Sequence, residues 1–153
     1  MEKRTPLKRH AALIELSRDH HDGLLLAQLV KKNAPVYRDL PVDPNDKITY
    51  LKEQFEKKLK PHFQTEEDIL FKYTKGYSEK IEMLTTELTG EHKLMSSLIE
   101  KLDSQIPDVE LMDTFAHTLE KHIRKEERVL FEEIQKTLSE EELNELSRML
   151  NNR

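Results

Sequence analysis

Apolar residues recur every three or four positions along most of the chain, which is the spacing of amphipathic α-helices. Polar and charged residues fill the positions between them, and no stretch alternates strictly enough to predict a strand. Five such segments are separated by turn-forming residues. The predicted helices span about residues 10–33, 44–75, 78–105, 108–136 and 140–150.

Proline, glycine and capping residues set the expected helix boundaries. Ala34-Pro35 should end the first helix, because a residue before proline avoids the α region. Asp43-Pro44 is typical of an N-cap followed by the first helical residue, and Gly76 suits the position just after a helix. Ser139 and Glu142 have the spacing of a capping box. Pro61 lies inside the second helix and should bend it.

These elements predict an all-α fold, an antiparallel four-helix bundle with a short C-terminal fifth helix. The 153 residues are enough for one domain with a buried core. We expect a single domain over 1–153, with the bundle core at about 10–136 and the last helix at about 140–150. The low glycine content and the abundance of Glu, Lys and Leu favour long helices over sheet.

A repeated stretch carries the chemistry. Residues 62–71 and 122–131 share the pattern H-x-x-x-E-E-x-[IV]-L-F. A histidine and a glutamate four residues apart lie on one face of a helix, one turn from each other. The repeat therefore predicts that His62, Glu66, His122 and Glu126 all point into the core.

Two further histidines complete the set. His20 and His92 lie on the apolar stripes of the first and third helices, and each follows an acidic residue, Asp19 or Glu91. In an antiparallel bundle all four histidines fall at nearly the same height. The sequence thus predicts a metal site that holds two metals bridged by carboxylate. The candidate metal ligands are His20, His62, Glu66, His92, His122 and Glu126.

Composition narrows the chemistry. Imidazole and carboxylate ligands suit iron, manganese, cobalt or zinc, and six are too many for tetrahedral structural zinc. Without cysteine, thiolate clusters, disulfides and a thiol nucleophile are excluded. The net charge of −5 is mixed in sign, with no basic block for nucleic acid. There is no signal-peptide pattern and no apolar run that could span a membrane, so we expect a cytoplasmic protein without nucleic-acid or membrane partners.

Four motifs together resemble the hemerythrin-like HHE domain, a four-helix bundle with a non-haem di-iron centre. They are RDHH at 18–21, HFQTEEDILF at 62–71, EH at 91–92 and HIRKEERVLF at 122–131, and the resemblance covers about residues 10–135. It implies two non-haem iron ions, oxo- or hydroxo-bridged, with Glu66 and Glu126 as bridging carboxylates and the histidines as terminal ligands. Manganese or zinc are alternatives.

One position departs from the oxygen-carrying members, whose third helix supplies two histidines four residues apart. Here Leu88 stands four before His92. The departure puts simple reversible oxygen carriage in doubt. It favours the members concerned with redox chemistry, sensing, iron handling or nitric oxide.

Neighbouring residues leave alternatives open. His21 competes with His20, and Glu127 with Glu126, although the internal repeats favour His20 and Glu126. For Glu67 and Glu127 we expect a solvated helix face with Lys or Arg partners. His10 and His117 are expected to be ordinary surface or interhelix residues.

The function hypothesis is a di-iron protein that binds or reacts with dioxygen, nitric oxide or peroxide. The alternative is an iron-handling or iron- and oxygen-sensing protein acting through a partner. A metal-free helical interaction module is the third hypothesis. The sequence identifies no catalytic residue distinct from the candidate ligands. Neither enzyme activity nor a particular protein partner follows from it.

Overall fold

The computed structural model describes residues 8–152, and every regular element in that range is helical. The prediction of an all-α fold is confirmed. We number five helices: α1 (Ala11–Val30), α2 (44–74), α3 (Glu79–Lys101), α4 (109–137) and α5 (Glu140–Asn151). No helix within the described range is long and apolar enough to cross a membrane.

Capping explains most helix starts. Ser78 accepts a hydrogen bond from the Ile81 N–H at the start of α3, and Asp108 accepts one from Leu111 at the start of α4. Ser139 and Glu142 form the predicted capping box of α5. Asp43 precedes Pro44 as expected, but its side chain makes no capping bond. Proline at the first helical position sets the backbone there.

Two helices end earlier than the sequence predicts. α1 ends at Val30 rather than Asn33, because the N–H of Lys32 bonds to the side chain of Asp113 and Asn33 adopts a left-handed conformation. α3 ends at Lys101 rather than Gln105. There the N–H of Gln105 bonds to the Asp103 side chain and closes a turn. In both cases a side-chain carboxylate accepts a backbone N–H that a longer helix would have bonded internally.

α2 and α4 each contain π-helical turns that the sequence did not predict. In α2 they occupy Phe55–Leu59 and Glu66–Phe71, and in α4 one occupies Glu126–Leu130. The first lies just before Pro61, where the N–H of Lys60 bonds to the Phe55 carbonyl. The others begin at Glu66 and Glu126. Such turns insert a residue into the helix and concentrate at functional sites.

The core consists of two apolar clusters. The first includes Leu26, Val30, Phe55, Phe115 and Leu119 and lies toward the connection between α1 and α2. The second joins the start of α1 to the end of α4 and to α5, through side chains such as Leu13, Phe131 and Leu146. α1 packs along α4, α3 also packs along α4, and α5 contacts α1 and α2. Buried histidines and glutamates form a polar layer beside these clusters: His20, His62, Glu66, His92, His122 and Glu126.

Candidate metal centre

Four helices each contribute one histidine to the buried polar layer. The Nε2 atoms of His20 on α1 and His62 on α2 lie 3.2 Å apart, and those of His92 on α3 and His122 on α4 also lie 3.2 Å apart. We call these the α1–α2 pair and the α3–α4 pair. All four rings are buried. The expectation that the four histidines share one height is met.

Each imidazole is oriented by a carboxylate at its other nitrogen. In every case the carboxylate comes from the preceding helix in the cyclic order α1, α2, α3, α4, at 2.7–3.0 Å from Nδ1. An ionised carboxylate only accepts hydrogen bonds, so Nδ1 donates and the Nε2 of a neutral ring carries a lone pair. The pairs are Asp19 with His62, Glu67 with His92, Glu91 with His122, and Glu127 with His20.

Glu66 and Glu126 lie between the two pairs, and neither is exposed to solvent. Glu66 places one oxygen 3.2 Å from His92 Nε2 and the other 3.5 Å from His62 Nε2. Glu126 lies 2.6 Å from His122 Nε2 and 3.6 Å from His20 Nε2. None of these four oxygens accepts a well-formed hydrogen bond from a described residue. Each carboxylate therefore spans both histidine pairs.

The arrangement fits cations. Two groups of ligand atoms, each within 4.8 Å of one another, contain one histidine pair apiece and share both glutamates. Two buried carboxylates without hydrogen bonds are costly, and two Nε2 atoms 3.2 Å apart repel each other whenever both carry lone pairs or both carry protons. A metal ion at each pair would offset the buried carboxylate charge and remove the repulsion between the Nε2 atoms. Nitrogen and oxygen donors suit borderline divalent metals.

In the metal-free protein the two buried carboxylates also shift the pKa values of the neighbouring histidines. Burial lowers the pKa of His20, but the neighbouring Glu126 carboxylate helps to raise that pKa to about 9. Burial also lowers the pKa of His62, but the neighbouring Glu66 charge helps to raise it to about 10. At His122 burial lowers the pKa as well, and the Glu126 charge helps to raise it to about 9. Burial also raises the pKa of Glu126, yet contacts with Glu66 and His122 hold it well below its ordinary value. Without metal, protons on His20, His62 and His122 take the place of the cations.

Aromatic rings pack beside the imidazoles. The ring of His92 stacks on Phe63 at 4.0 Å between centroids and on Phe71 at 6.0 Å. His20 stacks on Phe131 at 5.5 Å. These contacts restrict the rotation of the rings and place apolar surface beside them.

A cavity of about 660 Å³ reaches the α1–α2 pair. His20 and His62 line it, whereas His92 and His122 do not. The rest of its lining is mostly apolar and comes from α1, α2, α4 and the connection before α2; examples are Leu26, Leu40, Leu59, Leu119 and Ile123. The two pairs therefore have similar ligands but different surroundings.

All six predicted ligand residues are brought together. His20 is buried and His21 is exposed, so His20 is the one in the cluster. Glu126 is likewise inside, and Glu127 lies outside it. Leu88 is buried in the second apolar cluster and adds no donor. His10 caps α1 and contacts Glu140, and His117 is half exposed beside Asp113.

The expectation of a solvated face for Glu67 and Glu127 is wrong. Both side chains are partly buried: Glu67 accepts a hydrogen bond from His92, and Glu127 accepts one from His20. Glu127 also pairs with Arg9, so the expected basic partner is present there. Sequence reasoning also missed Asp19 and Glu91 as acceptors for Nδ1. A signal was available, because each outer carboxylate is adjacent in sequence to a candidate ligand.

A helical protein with two buried groups of imidazole and carboxylate ligands belongs to the class of metal-binding helical proteins. Comparison with family models makes this specific: residues 8–134 match the Hemerythrin HHE cation binding domain. The chain belongs to the hemerythrin HHE cation-binding family, as the sequence motifs predicted. No curated protein and no solved structure shows significant similarity to the chain.

Proposed function

We propose that the chain holds two iron ions and that this centre reacts with dioxygen or a related small ligand, nitric oxide or peroxide. His20 and His62 would hold one ion, His92 and His122 the other, and Glu66 and Glu126 would bridge them. The observation that carries the proposal is the sharing of both buried glutamates by the two ligand groups. When bound, an iron pair supplies the electron transfer that such reactions require.

The chain's own residues would prepare the site for that chemistry. The four outer carboxylates fix the imidazole orientation and keep Nδ1 protonated, which leaves Nε2 for the metal. Phe63, Phe71 and Phe131 limit the entry of water. The apolar cavity gives a small uncharged molecule a route to His20 and His62. Access at one pair only favours reaction there.

The proposal includes the antiparallel four-helix arrangement of α1–α4. The cyclic set of outer carboxylates supports it, because each helix contacts the next one and α4 contacts α1. The turns between α2 and α3 and between α3 and α4 are short, which favours antiparallel neighbours. α5 would then cover one end, where it contacts α1 and α2.

The test is to load the protein with ferrous iron without air, count bound iron, and then cycle oxygen while recording the visible spectrum. We expect two irons per chain. A band that disappears on deoxygenation would indicate reversible oxygen binding, and a persistent band would indicate oxidation chemistry. His20→Ala should lose iron, whereas the exposed neighbour His21→Ala should not. Equal iron in His20→Ala and the wild-type protein would contradict the proposal.

A further inference from the structure

The cavity beside the α1–α2 pair is much larger than a diatomic ligand requires. Its volume of about 660 Å³ falls in the range of roughly 300–1,000 Å³ typical of sites for drug-sized organic molecules. Well-packed protein interiors contain few voids larger than a water molecule. The cavity is therefore large enough for a ligand with many heavy atoms.

The cavity is elongated. On α2 its lining extends from Tyr50 to Thr65, and Tyr50 lies about 18 Å before His62 along the helix at about 1.5 Å per residue. On α1 the lining extends from Asp19 to Leu29. Leu40 contributes from the connection between these helices, at the end away from His62. The space thus suits a chain-like molecule lying parallel to α1 and α2.

Most of the lining is apolar, but the polar groups are unevenly placed. Asp19 and Asp22 lie at the histidine end, and Leu26, Leu29 and Leu40 line the other part together with Gln54 and Tyr50. Lys58 is the only lysine or arginine among the described lining residues. It lies one helical turn before His62, about 6 Å along the axis.

Lys58 also differs from its neighbours in having no ion pair within the described part of the chain. Lys57 pairs with Glu53, and Lys60 pairs with Glu56. An exposed, unpaired ammonium group beside an apolar chamber is complementary to an anionic headgroup on an apolar tail. A carboxylate is the smallest headgroup of that kind.

We propose that this cavity binds an aliphatic carboxylate of the fatty-acid class. The carboxylate pairs with Lys58, and the tail lies along Leu26, Leu29 and Leu40. The carboxylate then lies one helical turn before His62, and repulsion from Asp19 and Asp22 at the histidine end favours holding it at Lys58 rather than nearer the histidines. The inference rests on the proposed function for its link to the metal centre, while binding itself needs only the cavity.

The test measures displacement of a fluorescent probe, dansyl-aminoundecanoic acid, from the iron-loaded full chain. Dodecanoate should displace the probe at lower concentration than dodecanol, which has the same chain without the charge. Replacing Lys58 by Gln should weaken dodecanoate binding by up to about fivefold, the worth of an exposed ion pair. The matched control Lys60→Gln should leave it unchanged.

A second variant tests the location. Leu26→Trp narrows the cavity from α1 and should weaken displaceable probe binding, with helicity measured by circular dichroism as the check on folding. Equal affinity for dodecanol and dodecanoate, or equal effects of Lys58→Gln and Lys60→Gln, would overturn the proposal. No displaceable probe on protein with two irons would overturn it and leave the metal proposal intact. Displacement sensitive to Lys58 on protein that takes up no iron would support the ligand and contradict the metal centre.

Discussion

The two histidine pairs have the same donors and different surroundings. Each pair has two imidazoles 3.2 Å apart, two shared glutamates and two outer carboxylates. The α1–α2 pair lines a long apolar cavity, whereas the α3–α4 pair does not and His92 stacks directly on Phe63. Similar donors can therefore serve unequal purposes. The donors determine where a metal binds, and the surroundings determine what can reach it.

Removing a shared glutamate should have the largest effect, because it affects both pairs. We expect Glu66→Gln to lose most of both ions, since its two oxygens reach His92 and His62. His92→Ala should instead retain an ion at the α1–α2 pair. Metal per chain, measured by elemental analysis after gel filtration, checks both. The exposed Asp68→Asn on the same helix is the control and should bind as wild type; retention of both ions in Glu66→Gln would exclude bridging.

Proton competition should give the next largest effect. At neutral pH the metal-free α1–α2 pair is protonated, because the pKa is about 9 for His20 and about 10 for His62. Metal binding must release these protons, so affinity should rise with pH up to about that range, about tenfold per pH unit for each proton released. Calorimetry in buffers of different ionisation enthalpy counts the protons. Binding without proton release would contradict this assignment.

The same pKa shifts predict the stability of the metal-free protein. A histidine pKa raised above its ordinary value of 6.5 contributes stability that is complete below pH 6.5 and is lost as the pH rises through about 9 to 10. Thermal unfolding of metal-free protein should therefore shift to lower temperature across that range. Metal-loaded protein should not follow this trend, because its imidazoles are already neutral.

Outer carboxylates should have smaller effects that differ between the pairs. We expect Glu91→Gln to weaken metal binding at the α3–α4 pair by about 10- to 100-fold, the usual cost of losing such a partner. Asp19→Asn at the α1–α2 pair should cost less, because the Asp19 side chain is 49% exposed against 24% for Glu91. Competition with a chromophoric chelator measures both affinities.

Glu87→Gln, which alters an exposed partner of Lys125 without contacting an imidazole, is the control for this series. Its affinity should match that of the wild-type protein. A larger loss for Asp19→Asn than for Glu91→Gln would contradict the expected order.

Two glycines should give the smallest effects. Gly90 on α3 has open space around its missing side chain, so Gly90→Ala should stabilise the protein by about 0.5–1 kcal/mol. At Gly23 on α1 an added Cβ would lie 2.7 Å from Ile123 Cδ1, and that side chain must shift. Gly23→Ala should therefore be less stabilising than Gly90→Ala. Urea unfolding of metal-free protein measures both, and equal gains would show that the contact with Ile123 costs nothing.

Much of the fold and the six clustered residues could be predicted from the sequence, because both depend on periodicity. The stripe through His62 and Glu66 follows from helical spacing alone, and the repeat at His122 and Glu126 strengthens it. The ends of α1 and α3 could not be predicted. They depend on individual hydrogen bonds of Lys32 and Gln105, one to another helix and one within a turn.

The π-helical turns and the outer carboxylates were also beyond the sequence pattern. A π turn at Glu66 or Glu126 changes which face the following residues occupy, and a periodicity argument assumes that no such insertion occurs. The bond from His92 to Glu67 joins different helices, so its detection requires their relative rotation. Periodicity identifies a helix face but not the partner that it meets.

The most direct test of the central claim combines an iron count with electron paramagnetic resonance on air-oxidised protein. Two ferric ions bridged by Glu66 and Glu126 should couple magnetically. The account predicts two irons per chain and no signal from isolated high-spin ferric iron. One iron per chain with a strong isolated ferric signal would contradict it.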